Sequence, residues 1–203
     1  MMNPLPHPPA LLSTRLKNET APLHEQMHAL MEQAQPFASR AQYLRFVTAQ
    51  YHFQRDVEHL FDDPAIQAAV PDLQVRGREA AALADLADLA DFADLDAVPG
   101  DIAVATHDVV MPAALGWLYV SEGSTLGAAF LLKEVKEKLG LTETFGARNL
   151  AAYPEGRALV WRRFVSFLDA PGLSTQEQDA VVAGASAAFH RFGVLLKRHF
   201  ALD

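Results

Sequence analysis

The chain has 203 residues, half of them apolar and 21% charged, enough for one domain with a sizeable core. Its formal charge of −8 excludes a surface built to neutralise phosphates, so nucleic acid is not an expected partner. Cysteine is absent, which excludes disulfides, thiolate metal sites and thiol nucleophiles and fits a reducing, cytoplasmic setting.

The N-terminus, MMNPLPHPPALL, is Pro-rich and lacks a basic segment followed by a long apolar run. It reads as a flexible arm over 1–12 ahead of one domain over 13–203, and not as a signal peptide. Leu16, Thr20, Leu23, Met27 and Leu30 recur at three- and four-residue steps and predict a first amphipathic helix over 14–33, with Pro22 as a kink or a start point. Ser39 followed by Gln42 resembles a capping box for a second helix over 40–61, and a short piece follows over 65–70. The segment LADLADLADF predicts a helix over 80–96 with an acidic outer face, ended by Pro99-Gly100. A long helix is expected over 112–139. Its apolar stretch 113–132 is interrupted by Ser121, Glu122, Ser124 and Thr125, so it reads as a buried helix and not as a membrane span. Helices over 155–168 and to about residue 200 complete the pattern, the last opened by a capping box at Ser174 and Glu177. The expected fold is an all-α, compact, single-domain helical bundle.

Two features point to chemistry. Gly116, Gly123 and Gly127 share one face of the long helix, and each glycine costs about 1 kcal/mol relative to alanine. Either a neighbouring helix packs closely on that face or a flat cofactor lies across it. The second feature is His24-Glu25-Gln26-Met27-His28, a literal H-E-x-x-H on a predicted helix. It allows a zinc metalloprotease, but Met31 replaces the glycine of the longer protease motif and no third ligand stands at a recognised spacing. The Glu25-x-x-His28 within it is the only E-x-x-H in the chain, whereas a di-iron bundle needs two. A haem ligand requires less, namely one imidazole beside an apolar stripe, and His24 flanks the stripe that carries Met27 and Met31. By spacing alone, an ordinary partly buried histidine remains the favoured reading of His24.

RLKNETAPLHEQM, PFASRAQYLRFVTAQYHFQ, GWLYVSEGSTLGAAFLLK, FGARNLA and PEGRALVWRRFV occur in this order over about 15–200. Together they resemble successive blocks of bacterial biliverdin-producing haem oxygenases. The resemblance implies haem sandwiched between the first, proximal helix and the glycine-containing distal helix. It also implies oxidative cleavage at a meso carbon to biliverdin, ferrous iron and carbon monoxide, with haem as both cofactor and substrate and O2 as co-substrate.

By the same resemblance, His24 is the axial ligand of the haem iron, and Gly123 and Gly127 are the distal glycines that let the backbone come close to the haem. Lys17 and Tyr119 bind the propionates, Phe192 is an apolar haem contact, and Gln50 and Gln54 lie near the distal pocket. Animal relatives carry aspartate directly after the first distal glycine. Here the position is Ser124, so distal proton delivery is built differently. The implied partners are haem and an electron donor such as a ferredoxin or a flavoprotein reductase, with a monomer that does not insert in a membrane. The alternatives are a non-catalytic haem-binding protein and the zinc protease.

Overall fold

The computed structural model describes residues 11–92 and 102–203. Within them every regular element is helical, and Thr142 makes only isolated bridges to Phe145 and Gly146. Most of the arm expected over 1–12, and the Pro99-Gly100 stop, lie outside the described residues.

The helix expected over 14–33 is two helices, α1 (Leu12–Glu19) and α2 (Ala21–Ala34). Thr20 separates them: its amide and its hydroxyl both go to the Leu16 carbonyl, at 3.0 and 2.7 Å. Pro22 then sits in the first turn of α2, where its missing N–H leaves no bond unmade. α1 is tied to distant chain: the Ser13 amide and hydroxyl both donate to Asp169, at 2.8 and 2.7 Å. α3 (Arg40–His59) is the most buried of the early helices and packs Tyr43, Phe46, Val47, Phe53 and Val57 into the core. The Ser39 hydroxyl accepts from the Gln42 amide at 3.1 Å, while the Gln42 side-chain oxygen is buried without a partner, so only half of the expected capping box forms.

α4 (Pro64–Ala69) and α5 (Glu79–Asp88) follow. α5 corrects the expectation of an acidic outer face. Asp85 is fully buried and accepts from the amides of Arg148 and Asn149, each at 2.9 Å, and Asp88 accepts from the Gly146 amide and the Arg148 side chain. Two of the repeated aspartates therefore fasten the loop after the long helix, and the regular helix stops at Asp88, well before residue 96. The long helix α6 (Ala113–Leu139) ends on left-handed Gly140, with a φ of +67°. α7 (Arg157–Leu168) and α8 (Thr175–Phe200) end the bundle, and α8 opens with the full Ser174–Glu177 capping box.

α8 is the spine, packing on α6, α3, α2 and α1. Among the described residues it is the helix long and apolar enough to cross a bilayer, and half of that stretch is buried inside the bundle. Its crossing with α6 is backbone on backbone. A Cβ on Gly116 would fall 2.1 Å from the Val181 carbonyl oxygen, and one on Gly184 would fall 2.0 Å from that of Ala113. Glycine is required at both positions by close approach alone.

Candidate active site

The two helices expected to sandwich the haem, α2 and α6, both lean on α8. α2 meets it where a Cβ on Gly193 would lie 2.9 Å from the Met27 methyl group and 3.5 Å from Leu30. This contact turns the Met27 face of α2 inward and leaves His24 at its exposed edge. The His24 ring stands edge-on to Phe189 of α8, with centroids 6.2 Å apart, and to His28 one turn along, at 4.6 Å. Phe192 lies against Phe53 and Phe46 of α3, at 5.4 and 6.4 Å, and Phe53 stacks on Trp117 of α6 at 6.1 Å. α2 and α6 each pack on α8 and make no comparable packing with each other among the described residues. The proximal and distal candidates are thus held by one spine without being closed on one another.

The glycine face of α6 divides. Gly116 belongs to the α8 crossing and not to a site. Gly123 meets only the ring edge of Trp161 at 3.6 Å, which is ordinary contact, and Gly127 has nothing within 4 Å of where a Cβ would stand. Of the two explanations for the glycines, close helix packing accounts for the first, and an open cradle fits the other two. Tyr119, one turn before Gly123, is half-buried against the same Trp161 at 5.5 Å, and burial raises its hydroxyl pKa. Lys17 is exposed in the last turn of α1.

Polar groups line the seam between α3 and α6. Gln54 is buried and accepts from the Ser121 hydroxyl at 3.3 Å. The Gln50 side-chain oxygen and the Trp117 indole nitrogen are buried without hydrogen-bond partners. The Ser124 hydroxyl is turned back on its own helix, donating to the Ser121 carbonyl at 2.6 Å.

Sequence reasoning did not assign roles to the groups around this stretch. Glu122 is 1% exposed and is held by Arg76 Nη1 at 2.7 Å and by the Tyr153 hydroxyl at 2.8 Å. Burial pushes the Glu122 carboxyl pKa up against the pull of Arg76, and burial together with Glu122 pushes Tyr153 up to about 12. Arg157 Nε donates to the Thr125 carbonyl at 2.8 Å. The signal for Glu122 was present as the one charge inside the most apolar stretch. Nothing local pointed to Trp161 or Phe189, whose partners lie far away in the chain.

The pentapeptide His24–His28 presents two exposed rings, and among the described residues no third histidine, aspartate or glutamate joins them in a metal-binding group. The zinc reading therefore lacks the ligand set it needs. A shallow cavity of about 410 Å³ near α4, lined by Gln67, Val70, Leu73 and Val75 among others, has Asp72 as its only titratable side chain and offers little chemistry.

The sequence model of the family described as haem oxygenase matches residues 10–198. Haem oxygenase PigA of Pseudomonas aeruginosa is 47% identical over 192 residues, covering 94% of each protein. Among solved structures, the NO- and CO-bound haem oxygenase of Neisseria meningitidis superposes with a TM-score of 0.84 at 34% identity, covering 96% of this chain and 94% of that one. The haem oxygenase of Leptospira interrogans gives 0.74 at 19% identity, covering 92% and 98%, a likeness of fold. The open face at Gly127, the exposed His24 of α2 and the match along nearly the whole chain agree, and the chain belongs to the haem oxygenase family.

Proposed function

We propose that this chain binds haem and opens it at a meso carbon to biliverdin, ferrous iron and carbon monoxide, with O2 as co-substrate and electrons from a ferredoxin or a flavoprotein reductase. The observation that carries the reading is Gly127, which faces open space on the same helix face as Gly123. A helix that forgoes side chains where nothing fills the gap is built to receive something flat.

Haem supplies the redox chemistry when bound, and the protein supplies position and protons. His24 offers a nitrogen ligand from the exposed edge of α2, held at a fixed angle by the Met27 and Leu30 contact with α8. Lys17 and Tyr119 suit the two propionates, one as a cation and the other as a hydroxyl donor. Phe192, braced by Phe46 and Phe53, gives an apolar contact. Gly123 and Gly127 add no side chain of their own to the reacting side, where the ring edge of Trp161 comes near Gly123 and Gly127 is open. Ser124 gives its proton to the Ser121 carbonyl and keeps its lone pairs, so it acts as an acceptor for water. Gln50, with an unpartnered oxygen, orients water by accepting its hydrogen bond, the water carries the protons, and Gln54 steadies Ser121. The enzyme works as a cytoplasmic monomer, consistent with its cysteine-free, acidic composition.

The test is an absorption titration with hemin followed by reductant and a competent donor in air. A Soret band that saturates at one equivalent and then gives way to biliverdin absorption is expected. His24→Ala is expected to weaken or alter the haem spectrum and abolish turnover, and normal behaviour of that variant would remove His24 from its role. Stable binding without bleaching would make the protein a haem carrier.

A further inference from the structure

We propose that Glu122 is a positioning residue: its carboxylate, clamped between Arg76 and Tyr153, holds the Gly123–Gly127 stretch of α6 rigid as the haem wall. The inference rests on the reading of those glycines as that wall.

At 100° per residue, Ser121, Glu122 and Thr125 project away from the side of α6 that carries Gly123 and Gly127. These three are buried while Gly127 is open, so everything that fastens this stretch must act from behind. Four elements do so. α3 binds Ser121 through Gln54 at 3.3 Å. The 73–76 turn binds Glu122 through Arg76 at 2.7 Å, and the loop before α7 binds it through Tyr153 at 2.8 Å. α7 binds the Thr125 carbonyl through Arg157 at 2.8 Å.

The stretch needs this fastening. Two glycines lower its helical preference, and the Ser124 and Thr125 hydroxyls draw on the Ser121 and Glu122 carbonyls at 2.6 and 2.7 Å. Two carbonyls inside one helix thus carry donors from the helix's own side chains, which weakens the helical ladder where the cradle lies.

A buried ion pair is a poor device for stability alone, since apolar groups of the same volume often do as well or better. Its advantage here is direction. Glu122 is gripped on both oxygens, so it fixes the rotation of α6 about its axis as well as its height. Its partners are themselves anchored. Arg76 donates to the Pro71 carbonyl at 3.1 Å and lies 5.1 Å over the Phe164 ring, and Tyr153 lies 4.5 Å beneath Arg78.

Glu122→Gln keeps the shape and removes the charge. In the haem-free chain, hydrogen exchange over 121–129 is expected to quicken about tenfold or more while 113–117 and 181–185 stay unchanged. In the hemin-loaded, reduced and CO-saturated protein, the C–O stretching band is expected to broaden or split as the wall loses its single position. Tyr153→Phe, which removes one hydrogen bond, gives the same changes in smaller measure and serves if Glu122→Gln does not fold. Unchanged exchange, or faster exchange spread equally over 113–117 and 181–185, overturns the clamp. Local loosening with an unaltered C–O band leaves the clamp intact but overturns its role as holder of the haem wall. Failure of the parent chain to bind hemin defeats the functional reading, whereas the exchange measurement still decides the clamp.

Discussion

At Gly116 an added methyl group would land 2.1 Å from the Val181 carbonyl, and at Gly127 on the same helix it would meet nothing within 4 Å. The first glycine is demanded by a neighbour and the second by an absence. At the α8 crossing, glycine lets two backbones touch and helps to hold the fold. Beyond Gly123 it leaves a surface open, lowers the helix's own stability, and is backed by ionic and hydrogen-bonded contacts on the far side. Glycine spacing alone therefore cannot say whether a helix face is made for packing or for binding, and the atoms opposite decide.

The largest test of this contrast is Gly116→Ala. The atoms it would strike are the Val181 carbonyl and the Ala185 amide nitrogen, which cannot swing away as a flexible side chain can. The whole crossing must widen, at the upper end of the about 1–3 kcal/mol usual for overpacking. For a chain of this size that lowers Tm by roughly 6–12 °C. Calorimetry on the haem-free protein checks it, and an unchanged Tm would show that α6 and α8 slide apart freely.

A second test addresses the other end of the same spine. His52 of α3 and His199 of α8 are buried, stacked at 5.4 Å and 10°, and three of their four ring nitrogens have no partner. Burial holds both pKa values down at about 4; Arg55, Arg191 and Arg198 act the same way on His52 against Asp56, as do His52, Arg198 and Arg45 on His199. The unfolded chain takes up protons as pH falls through about 6.5, the folded chain only near 4. Stability is therefore full above 6.5 and lost as pH falls toward 4, on the order of 2 kcal/mol for each histidine by pH 5. Buried Glu58, Asp85 and Glu122, with raised values, act in the opposite sense. The measurement is thus the difference in Tm between parent and His199→Phe from pH 7 to 4.5. A constant difference would exclude the pair as the source of the acid sensitivity.

The ends of the elements were largely legible in the sequence, because the signals there are local. α6 ends at Leu139 as expected, with left-handed Gly140 directly after it, and the Ser174 capping box opens α8 as expected. Pro22 was legible as a disturbance, but the break at Thr20 was settled by the hydroxyl bond to Leu16. The aspartates of α5 were misread because what draws Asp85 inward, the amides of Arg148 and Asn149, lies more than sixty residues away. The glycine face was legible only as two alternatives, because Val181 and Trp161, which divide it, come from other helices. For the site, the family blocks indicated His24, Gly123 and Gly127. The Arg76–Glu122–Tyr153 contact was invisible, since it joins three separate stretches of chain.

Ser174→Ala separates stability from the site. Its hydroxyl accepts from the Glu177 amide at 3.3 Å, and the Glu177 carboxylate returns to Ser174 at 2.7 Å. Losing the cap costs about 1 kcal/mol, or roughly 2–4 °C in Tm. It frays the end of α8 next to Val181 and is expected to leave hemin affinity unchanged. A parallel loss of affinity would mean that the crossing and the cradle move together.

Gly127→Ala has the smallest expected effect on stability and divides the two regions most directly. With open space around the new methyl group and no left-handed φ at this position, alanine brings only its better helix preference. The haem-free chain is expected to gain about 0.5–1 kcal/mol, a rise of roughly 1–4 °C in Tm, opposite in sign to Gly116→Ala. Hemin affinity is expected to fall in the same variant, because the methyl group projects into the space that a flat ligand would take. A stabilised protein that binds hemin as tightly as the parent would mean that Gly127 is open to solvent only, and the wall would then have to be sought nearer Gly123 and Trp161. A destabilised one would mean that something packs against this face in the folded chain, and the contrast between the two glycines would be lost.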